Sequence, residues 1–255
     1  MNTKLKNRLD SKMQELERPV VEAPATEAAL APVNSEYLAL SSNAFDIIRA
    51  NLKSQPLTLD LFDIVKSPSG GSTVFSVPGL AGEEAVKELT GIILDYTTPR
   101  AYWDTPDPVE GTPPVCMSQD SIISYDGKAC AYCSCNTFGS KNESGAKLCR
   151  ENVLIFLLRP NSVVPLLVRV PVTSKGRFLK YSTRLLSTLT PINSVVTRVT
   201  LERATSRGGK VFALFNFETT AILSPVEAAQ ARTFAQQFME IVNSAQVTPA
   251  LAEAG

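Results

Sequence analysis

Apolar residues along the chain switch repeatedly between a period of two and a period near 3.6, and the switches divide it into strands and helices. In "EYLALSSNAFDIIRANLKS", Leu38, Phe45, Ile48 and Leu52 fall at helical spacing and predict one amphipathic helix. "LTLDLFDIV" alternates apolar and polar residues, so Leu57, Leu59, Leu61 and Ile64 should face a core from a strand. A "PSGGS" turn leads into a short strand in "TVFSV", and residues 89–98, "LTGIILDYTT", form the next strand. "PRAYWDTPDPVEGTPPVC" carries five prolines and reads as loop.

After Cys149, "NVLIFLLR" and "VVPLLVRVPV" are two β-rich runs on either side of a turn at 159–162. "TSKGRFLKYSTRLLSTL" places Phe178, Tyr181, Leu185, Leu186 and Leu189 along one helical stripe, with Thr173 or Ser174 as N-cap. "SVVTRVTLER" and "KVFALFNFET" predict a hairpin across Gly208 and Gly209. "SPVEAAQARTFAQQFMEIVNS" opens with Ser224, Pro225 and Glu227, the capping box of an amphipathic helix.

From residue 89 the order is strand, long insertion, strand, strand, helix, strand, strand, helix. This predicts an α+β fold, an OB-fold-like five-stranded barrel with flanking helices and a cysteine-rich insertion between its first two strands. Residues 1–35, mixed in charge and then rich in Ala, Pro and Glu, read as a flexible N-terminal segment. Residues 36–245 read as one OB-like domain with the insertion at 99–150, and 246–255 as a flexible tail.

Composition changes this picture in one respect. The 255 residues, 44% hydrophobic, have a formal net charge of zero, but the charge is unevenly placed. Residues 147–210 hold twelve Lys and Arg against Glu151 and Glu202, whereas residues 83–126 hold nine acids against Lys87 and Arg100. A basic face of this kind can hold a polyanion. No stretch reaches the roughly 20 apolar residues of a membrane span, and the start lacks the apolar core of a signal peptide. A reducing cytoplasm is the expected compartment, which with five cysteines argues against a disulfide framework.

Those cysteines carry the candidate chemistry. Cys116, Cys130, Cys133, Cys135 and Cys149 lie in a Gly-, Ser- and Asn-rich stretch that cannot build its own core, in a chain without histidine. The Cys130–Cys133 pair can offer two thiolates to one ion, and Cys116 and Cys149 complete the four that a structural Zn²⁺ takes. Cys135 could replace Cys130 or Cys133 as a ligand. Unligated cysteines, an iron–sulfur cluster or a redox pair are the competing readings, although the context is not the strand-to-helix start usual for a redox CxxC. Four thiolates would leave no position for water, so zinc catalysis is not expected.

"PPVCMS", "CAYCSCNTFGS", "AKLCRENVLIFLL", "PLLVRVPVTSKGRFLKYSTRL" and "VVTRVTLE" together resemble a family of bacteriophage and mobile-element single-stranded-DNA-binding proteins of replication and recombination. The resemblance spans roughly residues 91–220. Its pattern matches Cys116, Cys130, Cys133 and Cys149 but not Cys135. It implies single-stranded DNA as ligand, replication or recombination proteins as partners, and the cytoplasm of a bacterial host cell. It leaves self-association open.

The residues are compatible with that chemistry, which needs cations for phosphates and open rings for bases. Arg159, Arg169, Lys175, Arg177, Lys180, Arg184, Arg198, Arg203, Arg207 and Lys210 are the candidate phosphate contacts. Arg198 and Arg203 have opposite strand parity and cannot both face one groove. Tyr102, Trp103, Tyr132 and Phe138 are the candidate stacking rings, while Phe156, Phe178, Phe212, Phe215 and Phe217 read as core. The final "ALAEAG" carries only Glu253, so recruitment through an acidic tail is not expected.

Two other functions compete. One is a zinc-stabilised transcription-regulatory or protein-interaction factor, which no helix-turn-helix or RNP motif supports. The other is an enzyme such as a nuclease. Asp60, Asp63, Asp95, Asp104, Asp107 and Asp120 offer carboxylates, but no D/E-x-K cluster or Gly-rich phosphate loop organises them. A non-catalytic protein is expected.

Overall fold

The computed structural model describes residues 37–40, 43–53, 55–105, 109, 112–141, 145–206 and 208–244. The expected flexible segments 1–35 and 246–255, and Arg207, lie outside them. In chain order the elements are α1 (Ala44–Leu52), β1 (Ile64–Val65), β2 (Phe75–Gly79), β3 (Gly82–Val86), β4 (Glu88–Thr97), β5 (Arg100–Tyr102) and β6 (Cys116–Ser118). Then follow β7 (Arg150–Leu158), β8 (Leu166–Pro171), α2 (Val172–Ser187), β9 (Val195–Thr205), β10 (Val211–Ile222) and α3 (Pro225–Ser244).

The sequence of β7 dictates the layering. Val153 to Leu158 are all buried, and a strand buried on both parities needs cover on both faces of its sheet. Leu154, Phe156 and Leu158 pack with Ile92 and Leu94 of β4 under α1 and α3, whose Ala231, Phe234, Phe238 and Val242 form one stripe. Val153, Ile155 and Leu157 pack on the other side with Phe75 and Val77 of β2 and Phe178 and Tyr181 of α2. The result is a mixed α+β sheet in the order β1-β8-β7-β4-β9-β10, with β5 and β6 added beside β7. Gly91 lets the Leu158 carbonyl come so near that a Cβ would collide with it.

The closed barrel expected from the strand order is not formed. Closure would require β8 and β10 to pair, but these lie toward opposite ends of the path. β8 instead takes β1 as a parallel neighbour, with Ile64 opposite Leu167 and Val65 opposite Val168. β10 pairs with β9 alone, and the Phe215 N–H donates to the Ser174 hydroxyl of α2 at 3.0 Å. A helix occupies the place where a strand would close the barrel. Ser174 is therefore a buried anchor, and the N-cap of α2 is Pro171 with no side-chain capping bond.

Several local expectations change with this packing, and the stretch 99–116 read as loop carries β5 and the first residue of β6. The helix predicted across residues 36–54 is confined to α1, after a 3₁₀ turn at Leu38–Leu40. The predicted strand at 57–65 keeps Leu57 and Leu59 buried, but its backbone turns at Leu59–Leu61 and leaves Leu61 exposed. The strand in "TVFSV" gains a partner, β3, whose Glu83 and Glu84 face solvent.

The capping box of α3 forms as expected. The Ser224 N–H donates to the Glu227 carboxylate at 3.0 Å, and the Glu227 N–H to the Ser224 hydroxyl at 3.3 Å. Ser224→Ala should cost about 1 kcal/mol in a urea melt. No change in the midpoint would mean that the cap carries no stability.

Candidate functional site

The insertion lies where expected, between β4 and β7, and hydrogen bonds rather than a core give it shape. Among its described residues the apolar cluster is Ala101, Trp103 and the half-buried Met117, while Val115, Ile122, Ile123 and Tyr125 are exposed. The Asp120 carboxylate accepts the Ile122 N–H at 2.8 Å, the Ile123 N–H at 3.3 Å and the Ser118 hydroxyl at 3.0 Å. The first of these bonds contributes most to holding its pKa below the usual carboxylate value. β5 joins the insertion to the sheet by pairing Arg100 with Glu151 and Ala101 with Arg150.

All five cysteines line one cavity of about 490 Å³. Backbone bonds draw their segments together: the Cys149 N–H donates to the Cys135 carbonyl at 2.9 Å, and the Cys133 N–H to the Cys130 carbonyl at 3.3 Å. Burial pushes the Cys149 thiol up to about 12, the Arg100 guanidinium opposes this, and Cys130, Cys133 and Cys116 add to it. The Cys116 thiol is raised by burial first, then by Asp126, with smaller contributions from Cys133 and Cys130. Cys135 is also raised mainly by burial, then by Cys133, whose thiol it also meets in a hydrogen bond. Cys130 and Cys133 thus bear on both Cys116 and Cys149, and Cys133 bears on Cys135 as well.

Among the described residues, no group of three or more Cys, Asp or Glu side chains is arranged to hold a metal ion as it stands. The donor chemistry nevertheless fits a thiophilic cation. A divalent ion bound there would draw the protons off these thiols and tie together a loop that lacks a core.

The aromatic candidates separate. Tyr132 is 93% exposed and Phe138 is 78% exposed, both on the cysteine loop. The Lys147 ammonium sits 4.3 Å from the centroid of the Phe138 ring. Tyr102 is half-buried on β5, opposite Cys116. Trp103 departs from the expected open ring: it is only 6% exposed, its Nε1–H donates to the Thr112 carbonyl at 2.9 Å, and Arg150 lies against it. Phe156, Phe178 and Phe215 are core.

The cations divide as well, because the fold neutralises several of them. Arg100 pairs with Glu151 at 2.9 Å, and Lys175 pairs with the same carboxylate. Arg177 pairs with Glu202 at 2.7 Å and also meets Asn216. Arg198 pairs with Glu218 at 2.7 Å and with Glu88 at 3.9 Å. Arg169 is buried on β8, and Arg159 is half-buried. Lys180 and Arg184 on α2, with Arg203 and Lys210 near the β9–β10 turn, are exposed and make no ion pair among the described residues.

A second cavity, about 770 Å³, lies between the cysteine loop, the start of β7 and the end of β8. Lys66, Arg100, Lys147, Arg150 and Arg169 line it. Sequence reasoning missed four of these as site residues. Lys147 and Arg150 belong to the basic stretch and could have been named from it, whereas Lys66 and Arg100 lie outside that stretch. Among the described residues, no helix is long and apolar enough to cross a membrane. Compared with known proteins, the chain matches no family, no curated protein and no solved structure.

Proposed function

We propose that this chain binds single-stranded DNA with little sequence preference and without catalysis, in the replication or recombination of a phage or mobile element. The observation that carries the reading is the pair of solvent-exposed rings, Tyr132 and Phe138, on a loop bordered by cationic side chains. Bases stack on such rings whatever their identity, while cations track the phosphates. Lys180, Arg184, Arg203 and Lys210 supply further positive charge outside the loop. The order β8-β7-β4-β9-β10 is that of an OB barrel opened between its third and fifth strands, and supports reading the sheet as an open relative of that fold.

In the same proposal Cys116, Cys130, Cys133 and Cys149 hold a structural Zn²⁺. When bound, the ion neutralises thiolate charge and fixes the loop that carries Tyr132. Arg100 stands beside Cys149 as a counter-charge, and the bond from Asn136 Nδ2 to the Cys130 carbonyl at 2.8 Å holds the turn between the ligands.

Fluorescence anisotropy with single-stranded and duplex oligonucleotides at two salt concentrations tests the reading. Single strands should bind more tightly, with a log–log salt slope of about −0.7 per phosphate neutralised. Tyr132→Ala should cost roughly 1–3 kcal/mol with little change in slope, whereas Lys180→Ala should flatten the slope. Equal affinity for duplex, or indifference to salt, would favour the interaction-factor reading.

A further inference from the structure

We infer that the cleft between the cysteine loop and the end of β8 holds a short stretch of the strand, its phosphates on the cleft cations and one base on Phe138. This rests on the single-strand reading and adds where the strand lies. Lys66, Arg100, Lys147, Arg150 and Arg169 converge on the cleft from four separate segments, and Glu151 is the only carboxylate among its described lining residues. In a chain of zero net charge, the lining thus carries five positive side chains against one negative one, with Lys66, Arg150 and Arg169 also engaged by neighbours. Low-dielectric walls strengthen such a field toward an anion.

Three further features mark a site rather than a chance gathering of charge. Arg100 keeps only 9% of its side chain exposed, and its Nη1 is buried without a hydrogen-bond partner. An unpaired buried guanidinium donor is costly, and an entering phosphate oxygen would satisfy it. The Lys147 ammonium near the Phe138 ring puts a phosphate contact beside a stacking surface. The volume of about 770 Å³ also lies in the range that encloses a nucleotide-sized ligand. Glu151 is already engaged by Arg100 and Lys175, which lessens its repulsion of an anion.

The test uses the full chain, a labelled thymidine tetranucleotide and a thymidine oligomer of about twenty nucleotides, a length beyond one OB-fold site. Lys66→Ala and Phe138→Ala alter two separate segments that line the cleft and leave Arg100 and Glu151 themselves in place, and circular dichroism checks that each variant folds. Each should weaken tetranucleotide binding by about tenfold, while Lys180→Ala, outside the cleft, should weaken only the longer oligomer. The inference is overturned if the wild type binds the long oligomer but not the tetranucleotide, or if both cleft variants bind the tetranucleotide as the wild type does. Binding of neither probe by the wild type would remove the single-strand reading and this inference with it.

Discussion

Purified protein should carry about one equivalent of zinc, Cys133→Ser should strip it, and Cys135→Ser should keep it. The two cysteines are two residues apart and border the same cavity, so position alone does not separate them. Their surroundings do. Cys133 is among the main influences on both Cys116 and Cys149, and Cys135 is not. Neither set of four is arranged around one point among the described residues, so either choice of ligands asks the loop to adjust. Elemental analysis of the two variants beside the wild type decides the matter. Zinc or iron below about a tenth of an equivalent in the wild type would end the metal proposal. Metal lost with Cys135 and kept without Cys133 would exchange the ligand.

Phe178→Ala should destabilise the fold by about 3–5 kcal/mol. The side chain is fully buried, with its ring 4.8 Å from Tyr96 and 5.2 Å from Phe217, both roughly edge-on. It fastens α2 to the sheet face that this helix closes off in place of a strand. Removing the ring leaves a void between a helix and a sheet, neither of which can collapse freely. Denaturant titration measures the loss. A change under about 1 kcal/mol would mean that α2 does not hold this position.

Phe178 also shows what the sequence made legible. Its stripe with Tyr181 announced a buried helix face, although Leu186 and Leu189 of the same stripe are exposed, while the apolar run of β7 announced a strand and Gly208–Gly209 a hairpin. These signals are local. Barrel closure was not, because it depended on whether β10 met β8 or a helix, and Ser174 looked like a cap when it is a long-range anchor for Phe215. β3 was hidden because Glu83 and Glu84 give it no apolar alternation.

The candidate site was legible in part for the same reason. Tyr132 and Phe138 lack core periodicity and are exposed, whereas Trp103 has just as little periodicity and is buried by Arg150 and Met117. The excess of Lys and Arg after residue 147 was plain, but the acids that neutralise part of it were not. Glu88 and Glu218 lie outside that stretch and reach Arg198 only through strand pairing.

The junction of the insertion with β7 has a consequence for motion. The insertion runs from the end of β4 to the start of β7, and the six buried residues that follow place β7 among the last parts of the sheet to open. The insertion itself has almost no apolar interior and is held by turns and side-chain caps. Without a metal, its opening should therefore cost less than global unfolding, with Arg100 and Ala101 still paired with Glu151 and Arg150. A strand entering beside Phe138 would meet two firm walls when metal is bound, and one that yields when it is not.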